Sequence, residues 1–101
     1  MKPPPLKPDE LELVRSVFRL HPEVKTATLF GSRAKGTHGN RSDVDLVVSG
    51  DVEPLRAETI AAELEELPLP YRFDVQAFEH IQYQPLREHI QRVGIPIYPM
   101  S

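Results

Sequence analysis

A chain of 101 residues with 40% apolar content can build one small core but not two. The absence of cysteine excludes disulfides and thiolate metal sites, and no run is long enough for a membrane span or shaped like a signal peptide, so a soluble cytoplasmic protein is expected. A net charge of −3 argues against broad nucleic-acid binding, which needs an excess of Lys and Arg to displace counterions from phosphates.

Residues 1–8 (MKPPPLKP) cannot start a helix, because Pro3, Pro4 and Pro5 lack amide donors and force their predecessors extended. They are read as a flexible Pro-rich lead-in, with a single domain over residues 9–101. Asp9 suits an N-cap with Glu12 three residues on, and Leu11, Val14 and Phe18 recur at helical spacing up to an expected stop near His21-Pro22. Val24 to Phe30 reads as a strand. Gly31 to Arg41 is polar and holds three of the five glycines. Val44 to Val48 carries β-branched residues on both faces, which predicts a central strand. Pro54 opens a helix with an apolar face of Leu55, Ile60, Leu64 and Leu67, stopped by Pro68 and Pro70. Tyr71 to Phe78 alternates as a third strand. A last helix over Pro85 to Val93 precedes a short edge strand, Ile95 to Tyr98. This order predicts an α/β (α+β) fold, a small mixed sheet of three to four strands with helices packed against it.

Three features converge on phosphate chemistry. Gly31-Ser32 follows a strand directly, where glycine permits a tight turn and a close approach of backbone amides to an anion. A short helix starting near Ser32 would aim its free amides at phosphate, with Arg33 and Lys35 adding charge. Asp43 and Asp45, two apart at the start of a strand, share a face, and such a pair repels itself unless a cation intervenes. Oxygen-only ligands favour magnesium. Asp74 sits between the inward-facing Phe73 and Val75, so it points the opposite way. If its strand lies beside the second, it reaches the patch of Asp43 and Asp45. Three carboxylates there can hold two magnesium ions roughly 4 Å apart, the clamp of in-line phosphoryl displacement.

The segment GSRAKGTHGNRSDVDL, with ten residues between Ser32 and Asp43, resembles the GS-x10-D-x-D signature of nucleotidyltransferases related to DNA polymerase beta. The later FDVQ with Asp74 is similar to that family's third carboxylate, and the length and layout look most like the minimal nucleotidyltransferases, MNT or MntA-like antitoxins paired with HEPN-domain toxins. The resemblance implies that Asp43 and Asp45 bind both magnesium ions and that Asp74 completes the site and orients or deprotonates the attacking hydroxyl. It implies that Gly31 and Ser32 hold the ATP triphosphate, with Arg33 and Lys35 as weaker helpers. In MntA-like members the acceptor is a tyrosine hydroxyl of the cognate HEPN toxin, which adenylylation silences. Relatives acting on aminoglycosides or RNA carry an acceptor-binding domain, and 101 residues leave no room for one, so a separate HEPN-type protein is the expected partner.

Two other readings compete. A binding module could neutralise its partner by occlusion through the sheet edge and Ile95, Ile97 and Tyr98, with the carboxylates idle. The pairs Arg33–His38 and Arg15–His21 resemble the R-x4-6-H spacing of HEPN nucleases, but those domains are all-helical and this chain has strand-like runs. His80 and His89 lack partners at metal-ligand spacing and are expected to be structural. Tyr83 and Tyr98 are expected to pack at the core edge rather than cover a nucleotide base.

Overall fold

The computed structural model describes residues 6–36 and 43–99. Most of the Pro-rich lead-in (1–5) and the far half of the glycine-dense segment (37–42, with His38) lie outside the described residues. Elements run in the order α1 (Pro8–Phe18), β1 (Val24–Phe30), α2 (Ser32–Lys35), β2 (Val44–Gly50), α3 (Pro54–Glu65), β3 (Phe73–Ala77), a 3₁₀ turn (Phe78–His80), α4 (Gln84–Val93) and β4 (Ile95–Tyr98). No helix among the described residues is long and apolar enough to cross a membrane.

The first helix begins earlier than the Asp9 cap predicts. Pro8 occupies its first turn, where a missing amide hydrogen is harmless, and the Lys7 N–H donates to Glu10 Oε1 at 3.0 Å. Glu10, not Glu12, therefore closes the turn. Leu6, expected in the flexible lead-in, is buried in the main core. The helix ends at Phe18, and two tight-turn bonds, Leu20 N–H to Val17 O and His21 N–H to Phe18 O, carry the chain to β1.

Strands lie in the order β3-β2-β1-β4. β1 is antiparallel to β2 and β4, while β2 and β3 are parallel, so the sheet is mixed and β2 is central as its two-sided apolar pattern predicts. Parallel pairing needs a crossover, and α3 supplies it. The period of two sorts the strands into faces. One face presents Ala27, Leu29, Val44, Leu46, Val48, Phe73, Val75 and Ala77 to Val14, Val17 and Phe18 of α1 and Ala57, Ile60 and Leu64 of α3. The other presents Phe30 and Val47 to Ile81, Ile90, Phe78 and Leu86, a smaller cluster under α4. Leu55 departs from its expected core position. It is 77% exposed, because two residues before Ala57 put it about 200° around the helix from the buried stripe.

Candidate active site

β1 and β2 are paired so that Phe30 lies opposite Asp45, which sets the next residue, Gly31, over the aspartate side chain. Gly31 has φ 77° and ψ −153°, a region essentially reserved for glycine. A Cβ added there would overlap Asp45 Oδ2 and stand 3.2 Å from Asp45 Cγ. The turn and the carboxylate are thus in van der Waals contact. Immediately after it the backbone winds into α2, whose single turn starts at Ser32 and ends on Gly36 in the left-handed conformation (φ 78°, ψ 18°).

On the other side of β2, the parallel register pairs Asp45 with Asp74. Asp45 lies between the buried Val44 and Leu46, and Asp74 between the buried Phe73 and Val75, so both carboxylates alternate onto the face away from the main core. Asp74 is exposed and Asp45 half-buried. Burial pushes the Asp45 carboxyl above its ordinary value, and the nearby charges of Asp74 and then Asp43 push it the same way. Asp74, from the neighbouring strand, and Asp43, two residues earlier, therefore both lie close enough to act on Asp45. Asp43 itself is exposed and sits just before β2, next to residues 37–42.

Among the described residues no three His, Cys, Asp or Glu side chains form a ready-made cage for a metal ion. A magnesium ion that arrives with a nucleotide asks for less, since it takes one or two carboxylates and fills its shell with phosphate oxygens and water. The in-register pair of Asp45 and Asp74, with Asp43 close enough to perturb it, offers that donor set. Its self-repulsion is what a cation relieves.

The basic residues of α2 divide. Lys35 is exposed, whereas Arg33 is 4% exposed and its guanidinium carbon lies 4.4 Å over the centroid of the Tyr71 ring. Tyr71 is a residue that sequence reasoning passed over as a strand start. Its position three before Asp74 carries no motif that would mark it.

The remaining candidates lie in other parts of the fold. Arg15 Nε donates to Ile97 O at 2.7 Å, tying α1 to β4. His21 is buried, with Nδ1 3.2 Å from Glu23 Oε2 and Nε2 2.7 Å from Glu63 Oε1, so it links the start of β1 to α3. His80 is exposed near Glu53, and His89 meets the Phe30 ring edge-on with centroids 6.2 Å apart. Tyr98 packs on Phe18 with centroids 5.5 Å apart, as expected, whereas Tyr83 departs from its expected place at the core edge and is 69% exposed.

A family model described as "Polymerase beta, Nucleotidyltransferase" matches residues 12–101. No curated protein sequence matches the chain. A chain from the crystal structure of a toxin–antitoxin with AMP-PNP superposes with a TM-score of 0.76 at 19% identity, covering 90% of this chain and 74% of that one. A chain of the toxin–antitoxin MntA–HepT gives 0.71 at 15% identity, over 93% and 74% of the two chains. A chain from the complex of a tri-AMPylated Shewanella oneidensis HEPN toxin with MNT antitoxin gives 0.64 at 15% identity, over 90% and 73%. At these identities the likeness is one of fold.

Proposed function

The chain belongs to the polymerase-beta nucleotidyltransferase family, and from that premise we propose that it transfers AMP from ATP, with magnesium, to a tyrosine hydroxyl of a HEPN-domain partner, acting as the antitoxin of a toxin–antitoxin pair. The observation that carries this reading is the register pairing of Asp45 with Asp74 beside the Gly31 turn. It supports the reading because it brings a glycine turn of the kind that can bind phosphate beside an acidic pair. The partner is inferred from the solved complexes that share the fold, one of them holding an AMPylated HEPN toxin with its MNT antitoxin.

In this mechanism the Gly31 and Ser32 backbone, with the Ser32 hydroxyl and Lys35, holds the triphosphate. Asp43 and Asp45 would hold two magnesium ions, with Asp74 as a further ligand, and such ions neutralise the phosphate charge that grows during displacement. Asp74, the more exposed of the paired carboxylates, receives the acceptor proton. The acceptor oxygen bonds to the α-phosphorus, the bond from that phosphorus to the pyrophosphate oxygen breaks, and pyrophosphate leaves. A cytoplasmic setting, where ATP and the partner are both available, follows from the same reading.

The test mixes the purified chain with the product of the neighbouring reading frame, magnesium and α-labelled ATP. Label on a tyrosine of the partner is expected, with at least a hundredfold loss in Asp74→Asn and Asp45→Asn. No label on either protein, with the aspartates intact, would refute the transferase reading. If Asp43→Asn/Asp45→Asn still neutralises its partner, occlusion accounts for the antitoxin effect instead.

A further inference from the structure

Arg33 follows the phosphate-binding serine, yet its side chain turns into the protein rather than toward the open face. Its guanidinium stacks on Tyr71 at 4.4 Å. The Tyr71 hydroxyl donates to Glu10 Oε2 at 2.8 Å, and the other oxygen of that carboxylate accepts the Lys7 N–H at 3.0 Å. Glu10 is 8% exposed. One connected chain of contacts therefore runs from α2 through the segment entering β3 to the first turn of α1.

The connection has mechanical consequences. α2 has four residues, too few to hold its own geometry, so what it packs on decides where it points. Tyr71 stands three residues before Asp74, and the intervening backbone is pinned to β2 by the bond from Val44 N–H to Arg72 O at 2.9 Å. Little slack remains between the aromatic platform and the third carboxylate. Arginine suits the position because its planar, weakly hydrated cation stacks on a ring, which an ammonium does less well.

We propose that Arg33 is a positioning residue: by stacking on Tyr71 it fixes the phosphate-binding turn relative to Asp74, so that the α-phosphorus and the acceptor hydroxyl meet in line. This rests on the nucleotidyl-transfer reading above. Nucleotide binding is left to the Gly31-Ser32 turn, Lys35 and Asp45, whose ligand groups all remain when the clamp is removed. Loss of the clamp therefore lowers turnover and leaves nucleotide affinity nearly intact.

The variants Arg33→Lys, Arg33→Met, Tyr71→Phe and Tyr71→Leu are assayed with magnesium and labelled ATP on the neighbouring-frame protein, beside titrations with AMP-PNP. Arg33→Met and Tyr71→Leu should lose about 100-fold in kcat, the scale of an ångström of misplacement. Their KM for ATP and their Kd for AMP-PNP should move by less than about threefold, because ground-state binding is not what they remove. Tyr71→Phe, which keeps the ring and loses the hydroxyl's contacts with Glu10 and Arg33, should retain more activity than Tyr71→Leu, and Arg33→Lys more than Arg33→Met. Should the larger changes unfold the protein, Arg33→Lys and Tyr71→Phe carry the same comparison of kcat with KM. A rise in KM and Kd with kcat unchanged would make Arg33 a phosphate ligand and overturn the proposal. Wild-type values in all four variants would overturn it too. A wild-type chain that transfers nothing fails the functional reading itself, whereas an active wild type with unaffected variants fails only the clamp.

Discussion

Replacing Gly31 by alanine perturbs two things at once, and the structure separates them. The backbone at φ 77°, ψ −153° is hostile to any side chain, at a cost of about 1–3 kcal/mol. The new methyl would also overlap Asp45 Oδ2, with Asp45 Cγ at 3.2 Å, so the carboxylate must swing aside. Forcing it off its rotamer adds about 0.5–1.5 kcal/mol. Gly31→Ala should then lose about 1.5–4.5 kcal/mol, a fall in Tm of roughly 6–36 °C for a domain of this size. Nucleotidyl transfer should drop by about 100-fold, because both the turn and the carboxylate proposed to hold magnesium are displaced. Thermal denaturation followed by circular dichroism gives the first number and single-turnover labelling the second. A double-mutant cycle isolates the overlap. With Asp45 cut to alanine, Gly31→Ala should cost only the backbone part, a coupling of about 0.5–1.5 kcal/mol between the two positions. Equal costs in both backgrounds would refute the contact between turn and carboxylate, and no cost in either would refute the strained glycine.

The crowded carboxylates should make stability depend on pH and, under the proposed function, on magnesium. The unfolded Asp45 releases its proton near the ordinary 3.8, while the folded one holds it to higher pH. Between those values the folded state binds more protons, so metal-free stability falls as pH rises, and the penalty stays constant above the folded value. Asp45→Asn should remove that slope in urea titrations across acidic pH and leave the metal-free protein more stable at neutral pH. Magnesium should raise the wild-type Tm, by about 2.7 kcal/mol of stability at a hundredfold excess over Kd, and raise Asp45→Asn much less; an equal rise in both would refute binding at this carboxylate. On α3, Leu64→Ala should cost about 2–5 kcal/mol, since Leu64 is fully buried. Leu55→Ser, at a site 77% exposed, should stay within about 0.5 kcal/mol of wild type in the same denaturation assay.

Much of this protein was legible in one dimension wherever a residue acts on its own backbone or its near neighbours. Val24 to Phe30 and Ile95 to Tyr98 form strands with the bounds their composition predicts, Pro54 opens α3, and Gly31 turns the chain where a positive φ is required. The alternation of Phe73, Asp74 and Val75 sent the acidic side chain away from the core, as period two demands. The spacing from Gly31-Ser32 to Asp43 and Asp45 singled out residues that the fold brings close together. Position within a helix turn was harder. Leu55 is as apolar as Ile60 but falls outside the buried stripe, and Pro8 began a helix that Asp9 seemed made to cap, because a proline's fixed φ suits the first turn. Beyond local range the sequence was silent. That β3 runs parallel to β2 and sets Asp74 level with Asp45 depends on how the α3 crossover packs. That Arg33 turns inward onto Tyr71 depends on a ring 38 residues away and a carboxylate, Glu10, at the far end of the chain. Such choices are made by surfaces that meet only after the core has formed, so only the tertiary structure could decide them.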